Sequence, residues 1–337
     1  MTKSAQKNYW LSAFLKKILC TVPAIRNVFL ERDNLRYELR RSGVDRISQD
    51  ARRNFLAMLA SEYINDLEQT VDIAPLNVPN FYGPMLNLYV YDDESMDRYI
   101  SVCIKKYGIW EPSETQFLLN RLQFGDIFLD IGANIGYYSV LAASLVGDTG
   151  RVVAFEPEPS NFALLSANRM INAVSNLTLV NAAVSNSIGS QELFISSNNR
   201  GDNRLGFGDE NAASVPVATV TLDNSIPPRN ADQRLVVKID TQGWEAAIIF
   251  GNIDTLQTAT IIIFEWSPAW ITRNGHDPMK LLEEIERRGF TISRIVEGIG
   301  QLDQFSSKEA RIVLPQLMRA SGAAGDPSFY DLVAEKI

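Results

Sequence analysis

One stretch near the middle of the chain, residues 126–138, constrains the fold more than any other part of the sequence. It begins with an apolar run interrupted only by Asp130, as expected of a strand buried in a parallel sheet. Gly132 and Gly136 follow, and the apolar residues from Ile135 onward predict a helix. A strand, a tight turn and a helix in this order place backbone N–H groups and a helix N-terminus at one point, where nucleotide-like ligands bind.

A second short strand strengthens this interpretation because it ends in a carboxylate. Residues 151–155 are followed by Glu156, about 20 residues beyond the last glycine of the turn. A carboxylate at this point can accept hydrogen bonds from both hydroxyls of a ribose. The two strands together therefore predict a site for a ligand that contains a ribose.

The side chains of the turn indicate which ligand fits. A dinucleotide-binding turn needs glycine at its second and third marked positions, so that a pyrophosphate can approach the backbone. This chain has Asn134 and Tyr137 there. The Asn134 side chain fills that room, so the turn better suits a compact, positively charged cofactor without phosphate, such as S-adenosylmethionine (SAM). Asp130 is then expected to face the amino group of the SAM methionine. A nicotinamide cofactor is the alternative.

Composition limits the remaining classes of function. The chain has 337 residues and a formal net charge of −8, which argues against a phosphate-backbone partner such as DNA or RNA. Two cysteines and one histidine cannot supply a typical zinc site. The scarcity of cysteine indicates a reducing compartment, so a cytoplasmic location is expected. No run of about 18 apolar residues predicts a membrane-spanning helix.

The N-terminal part of the chain, residues 1–75, is predicted to be a helical extension. Within it, residues 8–20 combine lysines with apolar residues spaced for one face of a helix. This helix can dock on the protein or on another subunit, which would make the chain a homo-oligomer. It can also lie on a membrane surface, and the sequence leaves both alternatives open.

Strands and helices alternate after the glycine turn, which is typical of an open, mostly parallel α/β sheet covered by helices on both faces. The main domain is predicted to run from 126 to 320, after a strand and helix lead-in at 76–125, with a C-terminal tail at 321–337. Residues 291–295 and 311–314 are expected to close the sheet as a terminal hairpin.

Five short motifs occur along the predicted domain in a characteristic order. They are Trp110-Glu-Pro112, Asp130-Ile-Gly-Ala-Asn-Ile-Gly-Tyr-Tyr138, Phe155-Glu-Pro157, Thr221-Leu-Asp223 and Lys238-Ile-Asp-Thr-Gln-Gly-Trp-Glu245. This order resembles the FkbM-type SAM-dependent methyltransferases, over roughly residues 86–297. The resemblance implies a Rossmann-like class I methyltransferase fold with a seven-stranded sheet. Gln242 departs from the family, which usually has a second acid at that position of the last motif.

The resemblance also implies which residues contact the cofactor. Gly132, Asn134 and Gly136 would shape the methionine pocket, and Glu156 would bind the ribose. Glu111 would approach the SAM amino group, although an acid at a helix N-terminus can also serve only to complement the helix dipole. The full set of expected cofactor contacts is Glu111, Asp130, Gly132, Asn134, Gly136, Tyr137, Glu156, Ala182 and Ala183, the last two beside the adenine.

Methyl transfer to a hydroxyl is helped by a base, and the sequence offers three candidates. In an open parallel sheet, reactive groups gather beyond the carboxyl ends of the strands, which nominates Asp240 and Glu265. Both follow apolar runs, and partial burial makes a carboxylate a stronger base. His276, on a polar loop, is the third candidate. The alternatives are an N-cap role for Asp240, an ion pair for Glu265 and an inactive, exposed position for His276.

The leading hypothesis is a SAM-dependent O-methyltransferase with a small-molecule or glycan acceptor: a hydroxyl of a sugar, a glycolipid or a polyketide-like metabolite. No local spacing of ligands demands a metal, so none is predicted. The alternatives are an NAD-dependent, sugar-modifying oxidoreductase and, because of Gln242, a non-catalytic subunit that keeps the SAM fold. The polar stretch 185–213 and the loop after Glu265 are expected to shape the acceptor pocket.

Overall fold

The structure is a computed structural model that describes residues 71–92, 97–196, 199–208, 212–226, 229–230, 232–296, 301–320 and 329–336. The helices expected within residues 1–70, including the segment 8–20, lie outside the described residues. In the described part of the chain, no helix is long and apolar enough to cross a membrane.

The elements that precede the glycine turn form an antiparallel pair of strands and two helices. They are β1 (Val71–Pro75), β2 (Asn87–Tyr91), α1 (Ile100–Tyr107) and α2 (Pro112–Arg121). β1 and β2 pair with each other in a separate two-stranded sheet. β2, α1 and α2 lie within residues 76–125, the segment predicted as a strand and helix lead-in, whereas β1 lies in residues 71–75, which were predicted to belong to the helical extension.

After the lead-in, strands and helices alternate through the main domain. They are β3 (Ile127–Ile131), α3 (Tyr137–Val146), β4 (Arg151–Phe155), α4 (Pro159–Ile171), β5 (Leu177–Val180), β6 (Ala183–Val184), β7 (Gly189–Phe194), β8 (Arg204–Leu205), β9 (Ser214–Val220), β10 (Leu235–Ile239), α5 (Glu245–Gly251), α6 (Ile253–Leu256), β11 (Ile261–Trp266), α7 (Pro268–Arg273), α8 (Pro278–Arg287), β12 (Thr291–Val296), β13 (Gln301–Gln304), α9 (Ser307–Ala320) and β14 (Tyr330–Glu335).

The main sheet has eight strands in the order β13-β12-β14-β11-β10-β3-β4-β5. The five strands from β11 to β5 in this order are parallel, and β14 runs antiparallel to both of its neighbours. The predicted α/β class and the mostly parallel sheet are therefore confirmed. The sheet has one strand more than the seven expected, because β13 pairs with β12 at the edge.

Both faces of the sheet are covered, as the apolar strands predict. Successive residues of a strand point to opposite faces. In β3, Phe128 packs into one core with residues of α3 and α4, whereas Ile127 and Leu129 pack into a second core with residues of α5 and α8. Because both faces of the central strands are buried, their side chains are apolar almost without interruption.

The C-terminal strand of the sheet differs from the prediction. Residues 311–314, expected as part of a terminal hairpin, lie in helix α9, and the strand is β14, in the segment expected to be a tail. Leu332 and Val333 of β14 are fully buried between β11 and β12. A short apolar run cannot be assigned to a strand or a helix from periodicity alone. Residues 330–335 form a strand because they pair with both β11 and β12, which are distant from them in sequence.

The polar stretch 185–213 contributes to a second, smaller sheet. Its four strands have the order β6-β9-β7-β8. Leu193, Leu205 and Val217 form a small apolar core, against which Trp244 of the main domain packs. The small sheet therefore lies beside the carboxyl ends of the main strands, where the polar stretch was expected to shape a pocket.

Candidate active site

The carboxyl ends of β3, β4 and β10 meet at the glycine turn. Gly132 follows β3 with a φ of +86°, and a Cβ atom there would lie 1.8 Å from the carbonyl oxygen of Asp240. Only glycine therefore lets the turn pass so close to the end of β10. This approach brings the first residue after β10 next to the predicted cofactor turn.

Two clefts open around the turn, and Gly132, Asn134, Gly201 and Asp240 line both of them. The first, named here the Glu156 cleft, is also lined by Glu156, Pro157, Ala183, Leu205, Gln242 and Trp244. The second, named the Tyr138 cleft, is also lined by Trp110, Ala133, Tyr137, Tyr138 and Lys238. Asp240 thus lies where the two clefts meet.

Glu156 lies in the cleft where the sequence predicts a ribose-binding carboxylate. Its Oε2 accepts the backbone N–H of Asn134 at 2.8 Å, and its Oε1 accepts that of Glu158 at 2.8 Å. The side chain is only 5% exposed. Burial, with the nearby Glu158 carboxylate as a smaller contribution, raises the pKa of Glu156 to about 8. Glu156 is therefore held in one orientation by the turn.

Asn134 shapes the turn through its backbone and its side chain. Its φ is +51°, and its Oδ1 accepts the N–H of Ile135 at 2.7 Å. Its Nδ2 lies 3.4 Å from the carbonyl oxygen of Arg200, which the side chain of Asn161 also contacts at 3.1 Å. Asn134 therefore connects the turn to the segment between β7 and β8 of the small sheet. It also lines both clefts.

Gly136 and Asp130 do not line either cleft, contrary to what was expected of them. A Cβ atom on Gly136 would lie 2.4 Å from Leu165, so this glycine allows α3 to pack against α4. The buried Asp130 carboxylate accepts the hydroxyl of Ser139 at 2.5 Å, and burial raises its pKa to about 6. Asp130 points under the turn toward α3 because alternate residues of β3 face that layer.

Some of the other expected cofactor contacts line a cleft and others do not. Ala183 lines the Glu156 cleft, whereas Ala182 is buried and lines neither cleft. Tyr137 lines the Tyr138 cleft, with its hydroxyl 3.1 Å from the hydroxyl of Thr115. The sequence pattern identifies the loops that form the clefts, but not which of two adjacent residues faces inward.

Asp240 makes two hydrogen bonds with side chains that hold its carboxylate. Lys238 Nζ donates to its Oδ2 at 2.8 Å, and Gln242 Nε2 donates to its Oδ1 at 2.8 Å. The Asp240 side chain is 27% exposed. The N-cap alternative is wrong, because helix α5 begins at Glu245 and it is Glu245 Oε1 that accepts the N–H groups of Thr241 and Gly243.

Gln242, at the position where the resemblance leads one to expect an acid, links two carboxylates. Its Nε2 donates to Asp240 and lies 3.3 Å from Oε2 of Glu265. The other oxygen of Glu265 is buried without a hydrogen-bond partner, and Glu265 lines neither cleft. Burial and the Asp240 charge raise the pKa of Glu265 well above its usual range. Glu265 is therefore a buried neighbour of the site that reaches neither cleft, and it is poorly placed to act as the base.

Glu111 belongs to a buried cluster that the sequence does not reveal. The Tyr138 hydroxyl lies 2.8 Å from Oε2 of Glu111 and 2.9 Å from Oε2 of Glu114. A phenol has one proton, so one of the two carboxyl groups must carry a proton of its own to satisfy both contacts. Burial and repulsion by Glu114 raise the pKa of Glu111 well above its usual range. Glu111 and Glu114 are therefore expected to hold one proton between them.

Backbone strain is concentrated at this site. Five non-glycine residues in the described ranges have a positive φ, and Glu111, Asn134 and Gln242 are three of them, at +41°, +51° and +55°. Such conformations cost about 1–3 kcal/mol each and persist where the surrounding structure requires them. Each of the three residues directs a side chain toward the clefts or the groups beside them.

His276 is the one predicted base that lies away from the clefts. Its ring packs against Phe250 with 5.9 Å between ring centroids, near the C-terminal end of α5. Burial lowers its pKa. Proximity in sequence to the carboxyl end of β11 was the reason to propose His276, and the turn after α7 directs the side chain elsewhere.

Lys238 is the most important site residue that the sequence analysis passed over. It is the one charged side chain within the apolar strand β10, and it is buried beside Asp240. Lysine is almost never fully buried unless it is paired. A lysine in a strand predicted to be covered on both faces was therefore a signal that a partner carboxylate lies nearby.

The residues of the clefts fit a cationic cofactor that contains a ribose. Glu156 offers carboxyl oxygens at the end of β4, and the carboxyl groups of Glu111 and Glu114 lie next to Tyr138 and Lys238, which line the Tyr138 cleft. An acidic surrounding suits a sulfonium and an ammonium group. In the part of the chain that the structure describes, no three His, Cys, Asp or Glu side chains are arranged to hold a metal ion.

Comparison with known proteins finds similarity to methyltransferases. Residues 130–292 match the family described as the methyltransferase FkbM domain. A curated relative, hexuronic acid methyltransferase AglP of Haloferax volcanii, is 26% identical over 157 residues, which are 46% of this chain. The match covers 62% of that relative, so the chain spans less than two thirds of its length.

Solved methyltransferase structures are more distant. Methyltransferase FkbM from Methylobacillus flagellatus KT has 13% sequence identity and a TM-score of 0.38, covering 64% of this chain and 45% of that one. A SAM-dependent O-methyltransferase from Thermotoga maritima has 12% identity and a TM-score of 0.34, covering 78% of each chain.

The family match bears on the expectations drawn from the motifs. It covers the glycine turn, Glu156 and the segment from Lys238 to Glu245. The predicted family and the predicted cofactor, SAM, are confirmed, and a nicotinamide cofactor is not supported. Residues 130–292 are therefore similar to FkbM-type, SAM-dependent methyltransferase domains.

Proposed function

We propose that this protein methylates a hydroxyl group of a sugar and that Asp240 is the base. The observation that supports this most is the placement of Asp240 where the two clefts meet, with its carboxylate held by Lys238 and Gln242. A base must reach the hydroxyl proton while the hydroxyl oxygen faces the methyl group. Of the three predicted bases, Asp240 alone lines a cleft.

The two clefts would bind different parts of the cofactor. Glu156 would accept hydrogen bonds from the ribose hydroxyls of the cofactor, and the Tyr138 cleft would receive its methionine part. When bound, SAM supplies a methyl group that is ready for in-line transfer. Asp240 would accept the hydroxyl proton of the acceptor as the acceptor oxygen bonds to the methyl carbon and the bond from that carbon to the SAM sulfur breaks, which would leave S-adenosylhomocysteine.

The part of the Glu156 cleft nearest the small sheet suits a sugar ring. Leu193, Leu205 and Trp244 provide apolar surface there, while Asn203 and Gln242 provide amide groups. A sugar has apolar C–H faces and a polar rim, so it can use both kinds of surface. The related hexuronic acid methyltransferase acts on a sugar acid, which supports a sugar as the acceptor class.

The experiment is a turnover assay with a panel of acceptors. Purified protein and SAM would be incubated with hexuronic acids, neutral hexoses, sugar nucleotides and, as a test of N-methylation, amino sugars, and S-adenosylhomocysteine would be measured. We expect product with at least one acceptor that has only hydroxyl nucleophiles. Product with amino sugars alone would overturn O-methylation, and SAM binding without any turnover would favour a non-catalytic subunit.

A further inference from the structure

Lys238 occupies a buried position between the candidate base and a cluster of acids. Its side chain is 4% exposed, and its Nζ lies 2.8 Å from Asp240 and 3.8 Å from Glu114. The same Nζ lies 4.7 Å from the centre of the Tyr138 ring, in the geometry of a cation–π contact. Three neighbours therefore surround this ammonium group: Glu114 of α2, Tyr138 of α3 and Asp240, directly after β10.

The cluster keeps Lys238 charged. Burial alone would lower its pKa, but the carboxylates of Asp240, Glu114 and Glu111 raise it well above the ordinary value. Because the Tyr138 hydroxyl contacts both Glu111 and Glu114, that pair holds one proton and contributes about one negative charge. Lys238 is thus a permanent cation and cannot itself remove a proton from the acceptor.

We propose that Lys238 is a positioning residue that acts through Asp240, holding the carboxylate in one orientation and balancing its charge. This inference rests on the proposed function, since it assigns Lys238 a part in the action of that base. The titratable groups that face Asp240 and Lys238 are Glu111, Glu114 and Tyr138 from α2 and α3, Asp130 from β3, Glu245 from α5 and Glu265 from β11.

The charges of these groups determine in which direction the pH dependence should move when one of them is removed. The other titratable groups named above are acids, and an ionised acid makes a neighbouring carboxylate harder to ionise. Lys238 is the cation that opposes them. Removing the ammonium should therefore make Asp240 take up a proton at higher pH, whereas removing a neighbouring acid should have the opposite effect.

The test measures the pH dependence of turnover in Lys238→Met and Lys238→Arg. In Lys238→Met we expect kcat at its optimum to fall about tenfold or more, and the acid limb of the kcat profile to move up by about one pH unit or more. Lys238→Arg keeps the charge, so its limb should stay within about 0.3 units of wild type. Lys280→Met, at an exposed lysine on α8, is the matched control.

A second variant tests the same inference where Lys238→Met does not fold. In the double variant Glu111→Gln/Glu114→Gln, Lys238 loses competing partners and Asp240 loses the one negative charge of that pair, so the acid limb should move to lower pH. A carbon-13 NMR titration of the Asp240 carboxyl, identified with Asp240→Asn, reports the same shifts without turnover. An acid limb that stays in place in Lys238→Met, or one that moves up in the double variant, would overturn the role of Lys238.

The two proposals fail in different ways. If wild-type protein gives no S-adenosylhomocysteine with any acceptor, the proposed function fails, and the NMR titration still decides whether Lys238 controls Asp240. If wild-type protein is active and the Lys238→Met profile keeps its acid limb, the proposed function stands and the positioning role is wrong. Calorimetric SAM affinity within about threefold of wild type in each variant would show that the cofactor site is intact.

Discussion

The carboxylates of Glu156 and Asp240 occupy equivalent places in the sheet but have different surroundings. Each is the first residue after a parallel strand that neighbours β3, Glu156 after β4 and Asp240 after β10. Glu156 is buried and accepts two backbone N–H groups, whereas Asp240 is part-exposed and accepts from an ammonium and a side-chain amide. The position in the sheet alone does not determine what a carboxylate does.

The difference separates binding from chemistry. Backbone N–H groups of a tight turn cannot move away, so they fix the Glu156 oxygens while leaving lone pairs for hydroxyl donors. Asp240, in contrast, is balanced by the charge of Lys238 and lies where an acceptor can reach it. We therefore expect changes at Glu156 to affect cofactor affinity and changes at Asp240 to affect the transfer step.

The largest expected effect is on turnover in Asp240→Asn. An asparagine keeps the size of the side chain but cannot accept the hydroxyl proton, so kcat should fall about a hundredfold. Steady-state assays of S-adenosylhomocysteine formation would measure this loss. Asp254→Asn, at an exposed aspartate on α6, is the control and should remain near wild type. A decrease of less than threefold at Asp240 would mean that another group is the base.

The next largest effect is expected in Glu156→Gln, and it should appear in cofactor affinity. The substitution replaces one of the two carboxyl oxygens by an amide NH₂ group, which cannot accept a hydrogen bond from a ribose hydroxyl, so SAM should bind about tenfold more weakly. Isothermal titration calorimetry would measure the change, with Glu192→Gln on the exposed face of β7 as the control. Unchanged SAM affinity would mean that Glu156 does not bind the ribose of SAM.

A smaller effect of Glu156→Gln is expected on how the stability of the folded protein changes with pH. In the folded protein its pKa is raised from 4.5 to about 8, so the folded state keeps a proton that the unfolded state releases. Because the folded state then binds more protons, the contribution of Glu156 to stability is lost as pH rises from about 4.5 to about 8. Calorimetric melting between pH 5 and 8 should show a shallower decline in Glu156→Gln than in wild type or Glu192→Gln. Parallel declines would contradict this.

The smallest effect is expected in His276→Asn. The His276 ring packs on Phe250 and lines neither cleft, so kcat and the shape of the pH profile should stay within about twofold of wild type. The same turnover assay would test this. A tenfold loss, or loss of one limb of the profile, would bring His276 back as a candidate base and would weaken the contrast between Glu156 and Asp240.

The sequence predicted well those features that depend on local pattern. The buried strands, the glycine turn and Glu156 can all be read from short segments, because strand burial and turn geometry constrain neighbouring residues directly. Asp130 shows the limit of this approach. It belongs to the same motif as Gly132, yet the alternation of β3 turns its side chain toward Ser139 and away from the clefts.

Features that depend on distant residues could not be predicted. β14 is a strand because β11 and β12 are not paired with each other and β14 pairs with both of them. The small sheet pairs strands that are separated in sequence by polar loops. The Glu111, Glu114 and Tyr138 cluster joins residues from two helices. His276 was proposed from its nearness in sequence to β11, and the direction of its side chain depends on contacts with α5.

The affinity of Asp240→Asn for SAM is the most direct test of the central claim, that one carboxylate binds the cofactor and the other serves the transfer. Calorimetric titration needs no acceptor and can be compared with the Glu156→Gln titration under the same conditions. The account predicts a dissociation constant within about twofold of wild type for Asp240→Asn. A loss of tenfold or more, equal to that in Glu156→Gln, would contradict it.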